Sequence, residues 1–282
     1  MKTIDIIVPC YNEQEVLTTF IEETQKVINT IENYEFRYIF INDGSKDNTL
    51  KILKELKSTY PNVDYISFSR NFGKEAGMYA GLSNSTGDYA IIMDADLQHP
   101  PALFPRMIES IENGYDCCAA YRIQRKKGFF SKAFFKLNNT LTKVKLPYGA
   151  VDYRIMSHQM VKSIISLCEI QRFSKGIFSW VGFDTEFIPY TACKRNAGKT
   201  KWSFRKLTNY AIEGIIGFST KPLRIATFCG FFTAIASIIY LIIVVLQKLI
   251  SGIDIPGYAT IIVLTLLLGA VQLFCIGIIG EY

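Results

Sequence analysis

Two aspartates and a glutamine alternate along one short segment of the sequence, at Asp94, Asp96 and Gln98. In an extended segment, side chains two positions apart point to the same side, so all three can face one ligand. Carboxylate and amide oxygens without cysteine suit a hard cation such as Mg²⁺ or Mn²⁺, which completes its coordination shell with phosphate oxygens. The pattern favours a metal-bound diphosphate over two acids solvated in a loop. We interpret the adjacent His99 as loop scaffolding.

The elements that would position this segment alternate regularly over residues 1 to about 120. Four short runs rich in β-branched and aromatic residues are predicted strands: Ile4 to Pro9, Tyr38 to Ile41, Val63 to Phe68 and Tyr89 to Met93. Between them, apolar residues recur at helical spacing over 14–31, 48–58 and 74–83. This alternation predicts βαβ units, and therefore an α/β fold with a doubly wound, mostly parallel sheet.

Polar residues follow each predicted strand, where ligands of such sheets bind. The four segments are Tyr11-Asn12-Glu13, Asn42-Asp43-Gly44-Ser45, Ser69-Arg70-Asn71-Phe72-Gly73 and Asp94-Ala95-Asp96-Leu97-Gln98. Each alone is weak evidence, because Asn-Asp-Gly-Ser is typical of an ordinary turn that leads into a helix cap. Together they predict several carboxylates and amides at one edge of the sheet.

Two long uncharged runs lie near the C-terminus, from Ile225 to Leu246 and from Tyr258 to Gly280. Each is long enough to cross a hydrocarbon core of ~30 Å at ~1.5 Å per helical residue. The alternative, two helices buried in a soluble core, would need a much larger protein around them. Because the connector from Gln247 to Gly257 is short, the sequence predicts a transmembrane hairpin.

Positive charge is concentrated in two segments of a chain whose formal net charge is +6. Eight basic residues and no acidic one lie between Arg122 and Lys145, and eight basic residues accompany one glutamate between Lys194 and Arg224. The second segment precedes the first uncharged run, so the positive-inside rule predicts that residues 1–224 are cytoplasmic. The first intersperses its charges with phenylalanine and leucine, which suits an anionic membrane surface. A solvated face stays open as an alternative, and nucleic-acid binding is disfavoured.

These observations predict three regions. They are a cytoplasmic domain over residues 1–200, an interfacial helix over 201–224, and the hairpin over 225–282. Apolar residues at helical spacing between Phe204 and Phe218 indicate that interfacial helix, although an ordinary amphipathic helix packed on the domain would show the same spacing. The seven cysteines are scattered without a Cys-x-x-Cys pair, so neither a disulfide framework nor a zinc site is indicated. The high content of apolar residues, 49%, excludes a disordered chain.

Five motifs together resemble the family 2 inverting glycosyltransferases of GT-A fold, and within them the polyprenyl-phosphate (bactoprenol and dolichol-phosphate) branch. They are Pro9-Cys10-Tyr11-Asn12-Glu13, Asn42-Asp43-Gly44-Ser45, Ser69-Arg70-Asn71-Phe72-Gly73-Lys74, Asp94-Ala95-Asp96-Leu97-Gln98-His99-Pro100-Pro101 and Arg195-x-x-Gly198-x-Thr200-Lys201. The resemblance covers essentially the whole chain, and its Asp94 to Pro101 block is highly specific.

The resemblance implies a membrane hexosyltransferase. Its donor would be a nucleotide-diphosphate sugar, with UDP-glucose or UDP-N-acetylglucosamine favoured, and its acceptor polyprenyl (undecaprenyl) phosphate. The alternatives are a GDP-mannose-dependent mannose synthase, a processive polysaccharide synthase, a nucleotidyltransferase and a catalytically inactive nucleotide-sensing scaffold. The last would need a degraded metal site, whereas Asp94, Asp96 and Gln98 are all present. No nucleic-acid partner is implied, and the uncharged spans permit a homo-oligomer.

The resemblance also implies a role for each matching residue. Pro9, Tyr11, Glu13 and Asp43 would hold the nucleoside; Asp94, Asp96 and Gln98 would hold the diphosphate through Mg²⁺ or Mn²⁺; Arg195 would close over the donor phosphates; Arg122 and Lys136 would meet the lipid phosphate; and Asp152 and Arg154 would flank the reaction centre. Asp96, Asp152, Arg122 and Arg154 are thereby expected to be the catalytic residues. We expect Arg122 and Arg154 to hold the incoming phosphate in line with the anomeric carbon of the sugar.

Overall fold

A computed structural model of the chain describes residues 1–123, 140, 142, 144, 149–169, 172–191, 214, 216–251 and 257–282. Its seven strands are β1 (Lys2–Cys10), β2 (Tyr34–Asn42), β3 (Val63–Ser67), β4 (Tyr89–Ile92), β5 (Cys117–Arg122), β6 (Ala150–Ser157) and β7 (Thr185–Tyr190). The described helices are α1 (Leu17–Ile28), α2 (Thr49–Thr59), α3 (Lys74–Ser83), a 3₁₀ turn (Pro101–Leu103), α4 (Phe104–Glu112), α5 (His158–Ile165), α6 (Ser174–Trp180), α7 (Lys221–Ser251) and α8 (Tyr258–Glu281).

The seven strands form one sheet in the order β3-β2-β1-β4-β6-β5-β7. Strands β1 to β4 are parallel to their neighbours among themselves, and β5 is parallel to β7. Strand β6 runs antiparallel to both β4 and β5. The predicted α/β fold with a mostly parallel sheet is confirmed, and all four predicted strands and three predicted helices are present at or within a few residues of the expected positions.

Strand β1 lies at the centre of the hydrophobic core. Ile4, Ile6, Ile7 and Val8 are fully buried, because helices cover both faces of the sheet at this strand. On one face, helix α3 packs so closely that a Cβ atom added at Gly81 would overlap Ile7. This contact holds α3, and the residue with which it begins, against the carboxyl half of β1.

A buried carboxylate ties the sheet together on the amino-terminal side of β1. Asp5 is fully buried and accepts two hydrogen bonds from the Arg37 guanidinium, both at 2.9 Å. It also accepts from Ser85 Oγ at 2.8 Å and from the backbone amides of Thr86 and Gly87 at 2.8 and 2.9 Å. This ion pair joins β1, β2 and the turn before β4, and its hydrogen bonds offset the cost of removing the Asp5 carboxylate from water.

The chain divides into two compact units, of which the second consists of residues 140–143 and 212–282. In this unit α7 spans 31 residues and α8 spans 24, and together they include both predicted membrane runs. The segment Lys221–Tyr240 has the length and mean hydropathy, 1.6, of a membrane span. Most of the predicted interfacial helix lies outside the described residues, so that helix and the predicted region boundaries stay predictions.

Candidate active site

The loops that follow β1 and β2 are joined by backbone hydrogen bonds to side chains. The amide of Asn12 donates to Ser45 Oγ at 2.9 Å, and its own Oδ1 accepts from the Lys46 amide at 2.9 Å. The Glu13 amide donates to Thr49 Oγ1, also at 2.9 Å. Asn12 adopts a φ of 52°, a conformation that asparagine tolerates better than most residues. Tyr11 and Glu13, both partly buried, directly follow β1, the strand that contains Pro9. The hydrogen bonds hold them at the same edge of the sheet as the loop after β2.

Asp43 fixes the loop that follows β3. Its side chain is buried, and its two oxygens accept hydrogen bonds from the amides of Phe72 at 2.6 Å and Gly73 at 2.9 Å. The next residue, Gly44, has a φ of +61°, and a Cβ atom there would overlap the backbone of Arg70. In the structure the Asp43 carboxylate thus shapes the edge of the site, while its expected contact with the nucleoside stays a prediction.

Lys74 joins the two acids at the centre of the site. Its Nζ lies 2.5 Å from Asp94 Oδ1 and 2.8 Å from Asp152 Oδ2. Lys74 is the first residue of α3, where a cation is disfavoured by the helix dipole unless carboxylates compensate it. The sequence interpretation assigned Lys74 no role. A basic residue at a predicted helix start, directly after a glycine at a strand end, was the signal that could have identified it.

The antiparallel strand β6 explains how Asp152 reaches Asp94. Ile92 of β4 pairs with Arg154 of β6, and continuing this register by two residues places Asp94 opposite Asp152. Because β6 runs against β4, its first residues lie at the edge where the parallel strands end. The structure therefore brings together two of the expected metal and catalytic residues that are far apart in sequence.

The Lys74, Asp94 and Asp152 side chains are all charged. Burial alone would lower the pKa of Lys74, but the Asp152 and Asp94 carboxylates outweigh it and hold that pKa above its ordinary value. Burial likewise opposes ionisation of both acids, yet the adjacent ammonium holds the pKa of each carboxyl below its ordinary range. Two negative charges consequently face a single ammonium at this point.

The donor set suits a hard divalent cation that shares its shell with phosphate oxygens. Asp152 Oδ1 is buried and has no hydrogen-bond partner, and the Asp94 side chain is 34% exposed. Asp96 Oδ1 accepts from the Gln98 amide at 3.1 Å, across a turn in which Leu97 has a φ of 55°. In the described part of the chain no three His, Cys, Asp or Glu side chains form a complete metal-binding group. Mg²⁺ and Mn²⁺ bound with phosphate need only one or two carboxylates, so the residues fit such an ion.

His99 supports the loop that carries these acids. Its imidazole is buried, and Nδ1 accepts a hydrogen bond from the Asp94 amide at 3.2 Å. Burial lowers the pKa of His99, which keeps the ring neutral as this acceptor role requires. The ring also stacks on Tyr153, whose hydroxyl donates to the Pro100 carbonyl at 2.8 Å.

The two expected catalytic arginines occupy different environments. Arg122 is exposed at the end of β5, where its backbone amide donates to the Gly149 carbonyl at 3.0 Å. Arg154 is buried: it donates to the Val151 carbonyl at 2.9 Å, and its guanidinium carbon lies 3.8 Å from the centre of the Phe178 ring. The Arg154 guanidinium is therefore engaged by the protein itself, and its expected contact with the incoming phosphate stays a prediction.

Tyr190 is a further residue at the site that the sequence did not indicate. It ends β7 opposite Arg122, is buried, and lies within electrostatic range of Arg122, Asp94 and Asp96. Burial raises the pKa of Tyr190 to about 12, so the hydroxyl is protonated and able to donate a hydrogen bond. Strand β7 was not among the predicted strands. Lys136 and Arg195, for which the resemblance implies phosphate contacts, lie outside the described residues.

Each of the two units of the chain contains a segment that matches a known protein family. Residues 5–165 match the glycosyl transferase family 2 domain, and residues 221–282 match the GtrB C-terminal hairpin. The hairpin match and the apolar helix at Lys221–Tyr240 together indicate membrane association.

Two relatives resemble the chain over its full length. CsbB of Bacillus subtilis (strain 168), named as a glycosyltransferase, is 44% identical over 283 residues, which cover 99% of this chain and 86% of the relative. A bactoprenol glucosyl transferase of Shigella phage SfX is 40% identical over 284 residues, which cover 99% of this chain and 93% of the relative.

One solved structure shows a similar fold. Glucosyl-3-phosphoglycerate synthase from Mycobacterium tuberculosis, in complex with Mn²⁺, UDP-glucose and phosphoglyceric acid, superposes with a TM-score of 0.51 at 16% identity. The similarity covers 76% of this chain and 78% of that one. At this level of identity it establishes a common fold and nothing about the ligands of this chain.

Proposed function

Because the chain belongs to glycosyl transferase family 2, we propose that it transfers a hexosyl group, with inversion, from a nucleotide-diphosphate sugar to polyprenyl (undecaprenyl) phosphate. The observation that carries this proposal is the similarity to a bactoprenol glucosyl transferase over 99% of the chain. That relative's name favours glucose as the sugar, and we propose UDP-glucose as the donor, with UDP-N-acetylglucosamine as the next candidate.

The acidic cluster supports a metal-dependent reaction. Asp94, Asp96 and Gln98 would hold Mg²⁺ or Mn²⁺ together with the donor diphosphate. When bound, such an ion neutralises the charge that develops on the departing nucleoside diphosphate. The loops after β1 and β2 would bind the nucleoside through Pro9, Tyr11, Glu13 and Asp43, and Arg195 would contact the donor phosphates.

The acceptor requires alignment more than deprotonation. A phosphate monoester has a second pKa of about 6, so the attacking oxygen is largely anionic at neutral pH. The Asp152 carboxylate is paired with Lys74, which suits an orienting role better than that of a general base. Arg122 is exposed at the same edge, and its planar guanidinium can donate two hydrogen bonds to one phosphate; Lys136 would add a second positive charge.

In this proposal Arg154 acts through Asp152, whereas Arg122 contacts the acceptor phosphate. Its guanidinium donates to a carbonyl of β6 and stacks on Phe178, and it follows Asp152 by two residues on the same face of the strand. We assign it the positioning of Asp152 in place of the expected contact with the acceptor phosphate.

We further propose that the reaction takes place at a membrane surface, because the phosphate of a polyprenyl phosphate acceptor would lie at the level of the lipid headgroups. We propose that α7 and α8 form a two-span anchor and that the catalytic domain is cytoplasmic. The support is the basic segment before α7, which the positive-inside rule assigns to the cytoplasm.

The donor and acceptor can be tested together. Membranes containing the full chain would be incubated with undecaprenyl phosphate and, in separate reactions, radiolabelled UDP-glucose, UDP-N-acetylglucosamine or GDP-mannose, and the lipids then extracted. We expect labelled lipid from UDP-glucose. Label from GDP-mannose alone would replace the donor with that of a mannose synthase, and label confined to non-extractable polymer would indicate a processive synthase. No labelled product from any donor would overturn the proposal.

A further inference from the structure

We propose that the Lys74 ammonium is the resident counter-ion of the metal-free site and that it gives up Asp94 to the divalent cation when the site fills. The inference rests on the proposed function and deepens it, because it states how the site exchanges one cation for another. Lys74 is a positioning residue in this scheme and does not contact the sugar.

The Lys74 ammonium bridges the two carboxylates, as a bound cation would. A single Nζ atom lies 2.5 Å from Asp94 and 2.8 Å from Asp152, between carboxylates that face each other across β4 and β6. Lysine suits this position because its ammonium is a compact point charge, whereas the guanidinium of arginine is a broad planar fork. Without such a charge, the two neighbouring carboxylates would repel each other.

The helix that begins with Lys74 is packed against the sheet, whereas the Lys74 side chain is partly exposed. Gly81 lets α3 lie against Ile7, and Glu75, next in sequence to Lys74, accepts a hydrogen bond from the Ser174 amide of α6 at 3.1 Å. The Lys74 side chain is itself 34% exposed and has four rotatable carbons. The ammonium can therefore leave Asp94 without any movement of the backbone.

The unpartnered oxygen of Asp152 provides the place to which the ammonium moves. Oδ2 of Asp152 already accepts from Lys74, whereas Oδ1 is buried with no hydrogen-bond partner. A small rotation of the side chain lets Nζ pair with Asp152 alone and frees the Asp94 oxygen for the metal. Keeping the ammonium on both acids while a divalent ion binds Asp94 would bring like charges together, which is unfavourable in a partly buried site.

The proposed exchange and a purely structural role of Lys74 predict opposite changes in Mn²⁺ affinity when the charge of Lys74 is removed. Removing the charge at Lys74 abolishes a competitor for Asp94, so Lys74→Met should bind Mn²⁺ at least about tenfold more tightly in the absence of donor. If Lys74 only preorganised the acids, the same variant would bind Mn²⁺ more weakly.

The experiment is a titration of the purified full chain in detergent with Mn²⁺, in which free Mn²⁺ is followed by electron paramagnetic resonance without donor or acceptor. Lys74→Arg keeps the competing charge, although in a broader group, and should not bind Mn²⁺ more tightly than the wild type. Lys57→Met is the matched control, because Lys57 forms an exposed ion pair with Asp64 outside the site. An unchanged or weaker Mn²⁺ affinity of Lys74→Met would overturn the inference.

A second measurement covers the case in which Lys74→Met folds poorly. Lys74→Gln keeps a polar side chain, and its thermal unfolding would be followed with and without Mn²⁺. We expect Mn²⁺ to raise the midpoint of the variant by more than that of the wild type; an equal or smaller rise would contradict the exchange. Neither readout uses sugar or lipid. The inference on Lys74 can therefore fail while transfer to polyprenyl phosphate is confirmed, and it can be confirmed while transfer is not observed.

Discussion

The His99 imidazole lies flat against the ring of Tyr153, with ring centroids 4.9 Å apart and planes 11° from parallel. His99 accepts a hydrogen bond from the Asp94 amide, so the stack connects the acidic loop to strand β6. The Tyr153 hydroxyl reinforces this link through the Pro100 carbonyl. In addition to the β4–β6 register and the Lys74 bridge, the His99 and Tyr153 rings thus help to hold Asp94 in position relative to Asp152.

Two substitutions of Tyr153 should separate the contribution of the ring stack from that of the hydroxyl hydrogen bond. Tyr153→Phe keeps the stack and loses one hydrogen bond, which should cost about 1 kcal/mol of folding stability and leave kcat within a few fold of the wild type. Tyr153→Leu removes the ring from a fully buried position and should cost about 2–4 kcal/mol. Thermal denaturation and initial rates of lipid glycosylation check both. Equal effects of the two substitutions would show that the stack is unimportant.

Asp96→Asn should abolish the metal-dependent reaction. Because the substitution removes a charge and not the side-chain volume, we expect kcat to fall by at least about 100-fold while the protein keeps its thermal stability. The readout is labelled lipid at saturating donor and a range of Mn²⁺ concentrations. Undiminished lipid-linked product would end the assignment of Asp96 to the metal.

Arg122→Ala should weaken acceptor binding in particular. The side chain is exposed, so the fold should tolerate the change. Loss of charge-assisted hydrogen bonds to a phosphate should raise the KM for polyprenyl phosphate by about 10–100-fold. The KM for the donor serves as the internal control. An unchanged acceptor KM would remove Arg122 from the acceptor site.

Arg154→Met, in contrast to Arg122→Ala, should reduce folding stability and leave acceptor binding unchanged. It leaves the Val151 carbonyl without its partner and removes a cation from the Phe178 ring, so we expect a loss of about 1–3 kcal/mol in folding stability. Activity should fall through kcat, with the acceptor KM unchanged, because Asp152 is misplaced. A stable protein with a raised acceptor KM would instead support the expected contact of Arg154 with the incoming phosphate.

Gly44→Ala should be severe for two separable reasons. The residue has a φ of +61°, which costs a substituted residue about 1–2 kcal/mol, and the added methyl group would also overlap the Arg70 backbone. Gly114→Ala is the matched control, since Gly114 has a φ of +99° with nothing near an added Cβ. Because a φ of +61° suits alanine better than one of +99°, a greater loss of thermal stability at Gly44 than at Gly114 would show the effect of crowding. A smaller loss at Gly44 would contradict it.

The sequence predicts the first half of the sheet well because its signals are local. The apolar periodicity of β1 to β4 and the polar residues after each strand lie within short windows, and the structure places these loops at one edge. The pairing of Asp94 with Asp152 depends instead on the register of an antiparallel strand that follows almost 60 residues later, for which no local pattern exists. The burial of Arg154 and the position of Tyr190 likewise depend on long-range packing that charge and spacing do not reveal.

The direction of β6 has a consequence for how such an enzyme can diversify. The end of β5 and the start of β6 are adjacent, since the Arg122 amide bonds to Gly149 and Tyr121 pairs with Ala150. A stretch of chain that leaves and re-enters a sheet through neighbouring points can be lengthened, shortened or exchanged without shifting any strand. A change in the length of the basic sequence between these points therefore need not alter the register of β6 against β4, on which the meeting of Asp94 and Asp152 depends.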